Sequence, residues 1–243
     1  MFDVHSHILP AIDDGSASME ESLAMLKIAY DEGIRTMIAT PHNMPGKGCP
    51  SKAKVLKELE DLRETAENDG IKMTILPGTE YFYREEVLEL FEENEIIPLA
   101  GSRCVLVEFD TGVGRTYVKN AIREILAQDF IPVIAHVERY ERLMMKKQET
   151  VKELRDMGAL IQVNCGSIMG NLGFKTKWNT RAMLDKGWVD LLGTDAHSSR
   201  HRAPRMQECA KYLKKKYDPK YCKKLLMAEA LNEYPAYDTN NEA

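Results

Sequence analysis

The chain has 243 residues, with 33 Lys+Arg against 38 Asp+Glu and a formal net charge of −5. With 44% hydrophobic and 29% charged residues it carries enough apolar material for a sizeable core, which excludes a wholly disordered chain. The acidic balance also argues against a general nucleic-acid binder, for which a basic face is the rule.

In chain order, seven short apolar runs read as strands, at about 2–5, 36–40, 73–79, 104–109, 131–135, 160–164 and 189–194. Most are rich in Val, Ile and Leu, as expected of strands covered on both faces. Helical patterns lie between them. Ser18 with Glu21 three residues on resembles a capping box opening the first helix. Val55, Leu59, Leu62 and Ala66 share one helix face, and so do Val118, Ile122, Ile125 and Leu126. Gly33, Gly70, Gly158 and Gly187 fall where helices should end. The Lys214-Lys215-Lys216 run reads as a solvated helix end. Strand–helix alternation of this kind implies an α/β fold with a parallel sheet, open or closed into a barrel. No linker or repeat divides the chain, so a single domain over residues 1–234 is expected, with a flexible tail at 235–243.

No run approaches the 18 apolar residues of a membrane-spanning helix. The start, Met1-Phe2-Asp3-Val4-His5, has neither the basic nor the apolar region of a signal peptide. Cys49, Cys104, Cys165, Cys209 and Cys222 are odd in number and lack CxxC spacing, which suits reduced thiols and a cytoplasmic location.

The informative pattern is where the polar residues fall. Of six histidines, five sit at or just past the C-terminal end of an expected strand. The first strand ends in His5-Ser6-His7, with Asp14 in the loop beyond; the second runs into His42; the third ends at Glu80 and the fourth at Glu108. The fifth ends at His136, followed by Glu138 and Arg139, and the last ends Asp195-Ala196-His197. In parallel α/β folds the active site is built at these strand ends. Imidazole and carboxylate together suit Zn²⁺, Mn²⁺ or Fe²⁺. At i and i+2, His5 and His7 face the same side of a strand. Three protein ligands per ion lets His5, His7, Asp14, His42, Glu80, Glu108, His136, Asp195 and His197 fill three sites, or two crowded ones.

This set resembles the polymerase and histidinol phosphatase (PHP) superfamily. The run His5-Ser6-His7-Ile8-Leu9-Pro10, then Ile12-Asp13-Asp14-Gly15, Pro77-Gly78-Thr79-Glu80, His136-Val137-Glu138-Arg139-Tyr140 and Asn164, resembles its manganese-dependent protein-tyrosine phosphatases from bacterial capsule and exopolysaccharide operons. The resemblance implies a distorted seven-stranded parallel (βα)7 barrel with three divalent ions, manganese first, with zinc or iron as alternatives. It implies that His5, His7, Glu80 and Asp195 hold one ion, that Glu80, Glu108 and His136 hold a second, and that Asp14, His42 and His197 hold a third. Asp13 is read as support for the turn. The implied partner is a phosphotyrosine protein, a cytoplasmic bacterial tyrosine kinase above all, with no nucleic acid and no membrane insertion. The loop Asn43-Met44-Pro45-Gly46-Lys47-Gly48-Cys49 departs from the family pattern.

The expected chemistry is attack of a metal-held hydroxide on phosphorus, with Arg139 and Arg202 neutralising the phosphoryl oxygens and Arg200 and Arg205 as rivals. A thiol-based phosphatase is excluded, because the residues six beyond the cysteines are Val55, Asp110, Asn171, Lys215 and Ala228, none an arginine. Glu108 and Asn164-Cys165 at strand ends disfavour a metal amidohydrolase. Histidinol-phosphate phosphatase, another PHP phosphoesterase and a non-catalytic kinase-binding partner are the competing readings.

Overall fold

A computed structural model describes residues 1–44, 46–145 and 148–236. Nine parallel strands are found among them: β1 (Phe2–Ser6), β2 (Thr36–Ala39), β3 (His42–Asn43), β4 (Thr74–Pro77), β5 (Glu80–Phe82), β6 (Cys104–Glu108), β7 (Ile131–Ile134), β8 (Leu160–Asn164) and β9 (Leu191–Gly193). They form two sheets, ordered β1-β2-β4 and β3-β5-β6-β7-β8-β9. The helices are α1 (Met19–Asp31), α2 (Lys52–Asn68), α3 (Val87–Glu92), α4 (Arg115–Ala127), α5 (Glu149–Asp156), α6 (Cys165–Met169), α7 (Phe174–Asp185), α8 (Gln207–Lys216) and α9 (Pro219–Leu226).

Each of the seven expected strands is present, but seven uninterrupted strands in one sheet is not what the chain forms. β2 ends at Ala39 and the chain resumes as β3 past Pro41, in the other sheet. β4 likewise ends at Pro77, and β5 begins beyond Gly78-Thr79. A proline offers no N–H to a ladder, so pairing breaks there. The two sheets meet along β1, where His7 N donates to Ala196 O at 2.8 Å and Asp195 N to His5 O at 2.8 Å. Between β4 and β6 the buried Leu99 fills the gap.

Two buried clusters follow from strand alternation. Val4, Ile38, Leu106, Val133, Leu160 and Leu191 belong to the smaller, with Ala228, Ala230 and Leu231. Their neighbours Met37, Val105, Val107, Ile134 and Ile161 join the larger, beneath the helices. The helix faces read from the sequence are buried as expected at Val55, Leu59, Leu62 and Ala66, and at Val118, Ile122 and Ile125. Gly33, Gly70, Gly158 and Gly187 all have positive φ, where glycine avoids the Cβ clash. Lys214, Lys215 and Lys216 form the exposed last turn of α8. Tyr234 O accepts from Arg103 N at 2.8 Å and Pro235 bridges to Ser102, so the expected flexible tail is attached at its start. From residue 237 it lies outside the described residues.

Only half of the capping box forms. Ser18 caps α1 by accepting from Glu21 N at 3.3 Å. The Glu21 carboxylate turns away and accepts from Ser199 N at 2.6 Å and Ser199 Oγ at 3.0 Å, tying α1 to the loop after β9.

Candidate metal centre

The inner strand face carries apolar residues first and polar ones at its C-terminal end. Cys104 and Leu106 of β6 lead to Glu108, and Leu160 of β8 leads to Gln162 and Asn164. On β1 the parity changes from Phe2 and Val4 to His5 and His7, and the β1–β2 register shifts between Asp3 and Ser6. Such irregularities re-aim side chains. Gly193 makes room for the change, since a Cβ there would lie 2.5 Å from His5 Cβ.

All nine sequence-predicted residues meet at this end. His5 Nε2 lies 3.1 Å from Glu80 Oε2 and 3.7 Å from Asp195 Oδ1; His7 Nε2 lies 3.3 Å and 3.5 Å from the same two atoms. His136 Nε2 is 3.0 Å from Glu80 Oε1 and 3.5 Å from Glu108 Oε1. Asp14 Oδ1 is 3.4 Å from His42 Nε2 and 3.6 Å from His197 Nε2. Three groups have ligand atoms close enough to share an ion: His5, His7 and Glu80; His42, Glu80 and Glu108; and His7, Asp14, His42 and His197. Glu80 is fully buried at the middle, while Asp14 stands at the open rim beside Lys47, whose Nζ is 3.1 Å away.

The hydrogen bonds fix the tautomers. The amide of His136 donates to Gln162 Oε1 at 2.6 Å, so that oxygen is an acceptor and His5 Nδ1, at 3.3 Å, must donate to it. His7 Nδ1 donates to Asp13 Oδ2 at 2.7 Å, and Asp13 also accepts from His42 N and Gly15 N. With Nδ1 the donor on each ring, the two Nε2 atoms face each other across 3.2 Å. One proton between them serves only one ring. A divalent cation would satisfy both nitrogens and the carboxylate oxygens converging on the same place. Buried His42 Nδ1, Glu80 Oε2 and Glu108 Oε2 also have no hydrogen-bond partner, although His42 Nδ1 and Glu80 Oε2 lie 3.1 Å apart. Buried polar atoms without partners are costly, and a divalent ion held there would satisfy these three. The donor set therefore fits divalent metal.

The electrostatics show which proton an ion would displace. Burial works against a proton on His7, yet Asp13, Asp195 and Glu80 outweigh it and hold its pKa well above the ordinary value. Burial also opposes charge on Glu80 and Asp195, but the surrounding histidines hold both well below the carboxylate range. Glu108 is raised by burial and by the charge of Glu80. Burial and His7 push His42 down to about 4 and His197 to about 3, leaving neutral imidazoles with a lone pair to give.

Arg139 and Arg202 both approach Asp195, at 3.4 Å and 2.8 Å. They line an open cavity of about 450 Å³ with Asn164, Ser167, Leu172 and Arg205. Arg205 also pairs with Glu32 at 3.4 Å. Gln162 and Asp3 were missed by sequence reasoning. Gln162 Nε2 donates to Asn164 Oδ1 at 2.9 Å, and Asn164 Nδ2 donates to Asp195 Oδ2 at 2.9 Å. Asp3 accepts from Thr194 N at 2.8 Å and from His5 N at 3.2 Å. A polar residue inside the apolar run Leu160-Ile161-Gln162-Val163 was the available signal.

Comparison with known proteins gives the same direction. The fold superposes with TM-score 0.89 and 29% identity on a chain from crystal structures of YwqE from Bacillus subtilis and CpsB from Streptococcus pneumoniae, described as unique metal-dependent tyrosine phosphatases, covering 97% of this chain and 96% of that one. The lactonase Lmo2620 from Listeria monocytogenes, at TM-score 0.59 and 12% identity, shares the fold alone. In sequence, tyrosine-protein phosphatase CpsB from Streptococcus pneumoniae is 33% identical over 232 residues, 93% of this chain and 95% of that protein. Tyrosine-protein phosphatase YwqE from Bacillus subtilis is 30% identical over 217 residues, 89% and 85% of the two chains. The family described as capsular polysaccharide synthesis, CpsB/CapC, matches residues 1–232, and the chain belongs to that family.

Proposed function

We propose that this chain is a metal-dependent protein-tyrosine phosphatase acting on phosphotyrosine of a protein of capsule or exopolysaccharide synthesis, with a cytoplasmic bacterial tyrosine kinase as the foremost substrate. The carrying observation is the pair of Nε2 atoms facing each other at 3.2 Å among carboxylates. In this reading residues 1–234 act as one unit. Seven barrel positions are made by β1, β2 with β3, β4 with β5, β6, β7, β8 and β9.

His5, His7, Glu80 and Asp195 would hold one ion, Glu80, Glu108 and His136 a second, and Asp14, His42 and His197 a third. Manganese is the first choice, with zinc or iron as alternatives. Divalent ions in such a centre lower the pKa of water toward neutrality and offset negative charge on phosphoryl oxygens. The chain's own residues do the rest. Glu80 reaches histidines from β1, β3 and the end of β7, which suits a shared ligand. Asp13 and Gln162 hold His7 and His5 in the tautomer that leaves Nε2 free. Arg139 and Arg202, half-exposed at the cavity, present planar forks that donate to two phosphoryl oxygens at once. The phenolate of tyrosine, with a parent pKa of about 10, departs with little help from a general acid.

The test is hydrolysis of a phosphotyrosyl peptide and of histidinol phosphate by chelator-dialysed protein, before and after Mn²⁺ is returned. Activity confined to the peptide and to the reloaded protein is expected, with loss in His136→Ala. Full activity after chelation, or preference for histidinol phosphate, overturns the reading.

A further inference from the structure

Large apolar side chains are seldom left open together on a soluble surface without a purpose. Among the described residues, those more than half exposed are Met145 at 63%, Leu172 at 54%, Phe174 at 82% and Trp178 at 56%. All four fall in the connections that follow β7 and β8, the strands whose ends carry His136 and Asn164. Phe174 opens α7, and Trp178, four residues on, shares its helix face. α7 packs against the turn Val137–Arg139. Leu172 lines the arginine cavity and also an adjoining hollow with Arg139, Met144 and Lys175. Leu172 thus belongs to the cavity wall, and the chain leads from it directly into the exposed Phe174 and Trp178 of α7.

We propose that this surface receives the polypeptide on either side of a phosphotyrosine while the phosphoryl group sits among Arg139 and Arg202. The occupant is the chain flanking the phosphotyrosine of a protein substrate; this rests on the phosphatase reading and assigns where that substrate docks. Two features argue for it. The cavity, about 450 Å³, suits a single side chain, so the open surface beside it has work only if the substrate continues beyond that side chain. Arg139, Arg202 and Arg205 against the single carboxylate of Asp195 also give this cavity a positive lining on a chain of net charge −5, complementary to a phosphorylated segment. A second copy of the chain seated here would cover Leu172 and close the mouth that the substrate needs.

The experiment compares the Mn²⁺-loaded wild type with a Phe174→Ser, Trp178→Ser double variant on two substrates. One is p-nitrophenyl phosphate; the other is a phosphotyrosyl peptide of about ten residues with apolar flanks, a length that spans such a surface if extended. The expected result is a loss of about tenfold or more in kcat/KM on the peptide, with p-nitrophenyl phosphate within about twofold. Replacing the peptide's apolar flanks by Gly and Ser should slow the wild type and leave the variant unaffected. Equal loss on both substrates, or no loss on the peptide, overturns the proposal. So does a shift from dimer to monomer in the variant with an unchanged peptide rate. A wild type inactive on both substrates instead fails the phosphatase reading itself.

Discussion

Replacing Gln162 by Leu tests the hydrogen-bond logic of the centre without touching a candidate ligand. Gln162 is fully buried, and its Oε1 accepts from both His136 N and His5 Nδ1, while its Nε2 supports Asn164 and through it Asp195. Leucine is close in volume but leaves two buried donors, His136 N–H and His5 Nδ1–H, without an acceptor. Each such donor costs about 1–3 kcal/mol. His5 is then free to move its proton to Nε2, which removes the lone pair facing His7. Loss of a group that orients a ligand typically lowers metal affinity by about 10- to 100-fold. The assay is Mn²⁺ titration calorimetry with chelator competition, accompanied by a thermal melt. Gln162→Glu keeps an acceptor for both donors, though it sets a carboxylate oxygen against Asn164 Oδ1, so it should bind more tightly than the Leu variant. Wild-type affinity in a folded Gln162→Leu protein would refute the tautomer argument.

Three further outcomes are expected. Burial pushes the Asp3 carboxyl up to about 6 against its hydrogen bonds from Thr194 and His5, whereas the unfolded chain titrates near about 4. Between those values the folded state holds a proton that the unfolded state has lost. Stability therefore falls as pH rises through that window, by about 3 kcal/mol from this group. Asp3→Asn should flatten that part of the melting-temperature profile, and parallel profiles would disprove it. In Gly193→Ala the new Cβ would lie 2.5 Å from His5 Cβ and 2.9 Å from Gln162 Nε2, so β1 must shift. A loss of about 1–3 kcal/mol in chemical denaturation is expected, with weakened Mn²⁺ uptake. Finally, Cys49 is exposed while Cys104, Cys165, Cys209 and Cys222 are buried, and burial raises the Cys104 thiol to about 11. Ellman's reagent should find one fast thiol in the native protein and all five on denaturation.

The strands were legible because both of their faces are covered, so Val, Ile and Leu run on almost without interruption. β3 and β5 were not, since they are two and three residues long and begin with His42 and Glu80. The nine histidine and carboxylate positions could be read because chemistry restricts which residues stand at parallel strand ends. Their helpers could not: the role of Gln162 depends on which of its atoms meets the His136 amide, and that is settled only by packing. Glu21 shows the same limit, since its spacing from Ser18 is right for a capping box but Ser199 offers it two donors.

His136 and Asp195 share one further property: their φ values are 29° and 54°, in the left-handed region that side chains with a Cβ avoid. Each such residue stores on the order of 1–3 kcal/mol, and histidine tolerates it less well than aspartate. Both turns thus hold strained backbone, and an ion gripping the two side chains would also restrain the two turns. Loading of the centre should therefore be visible in the peptide backbone as slower amide hydrogen exchange at residues 136–139 and 194–197. Exchange rates that ignore loading would mean that the surrounding fold alone holds the strained backbone in place.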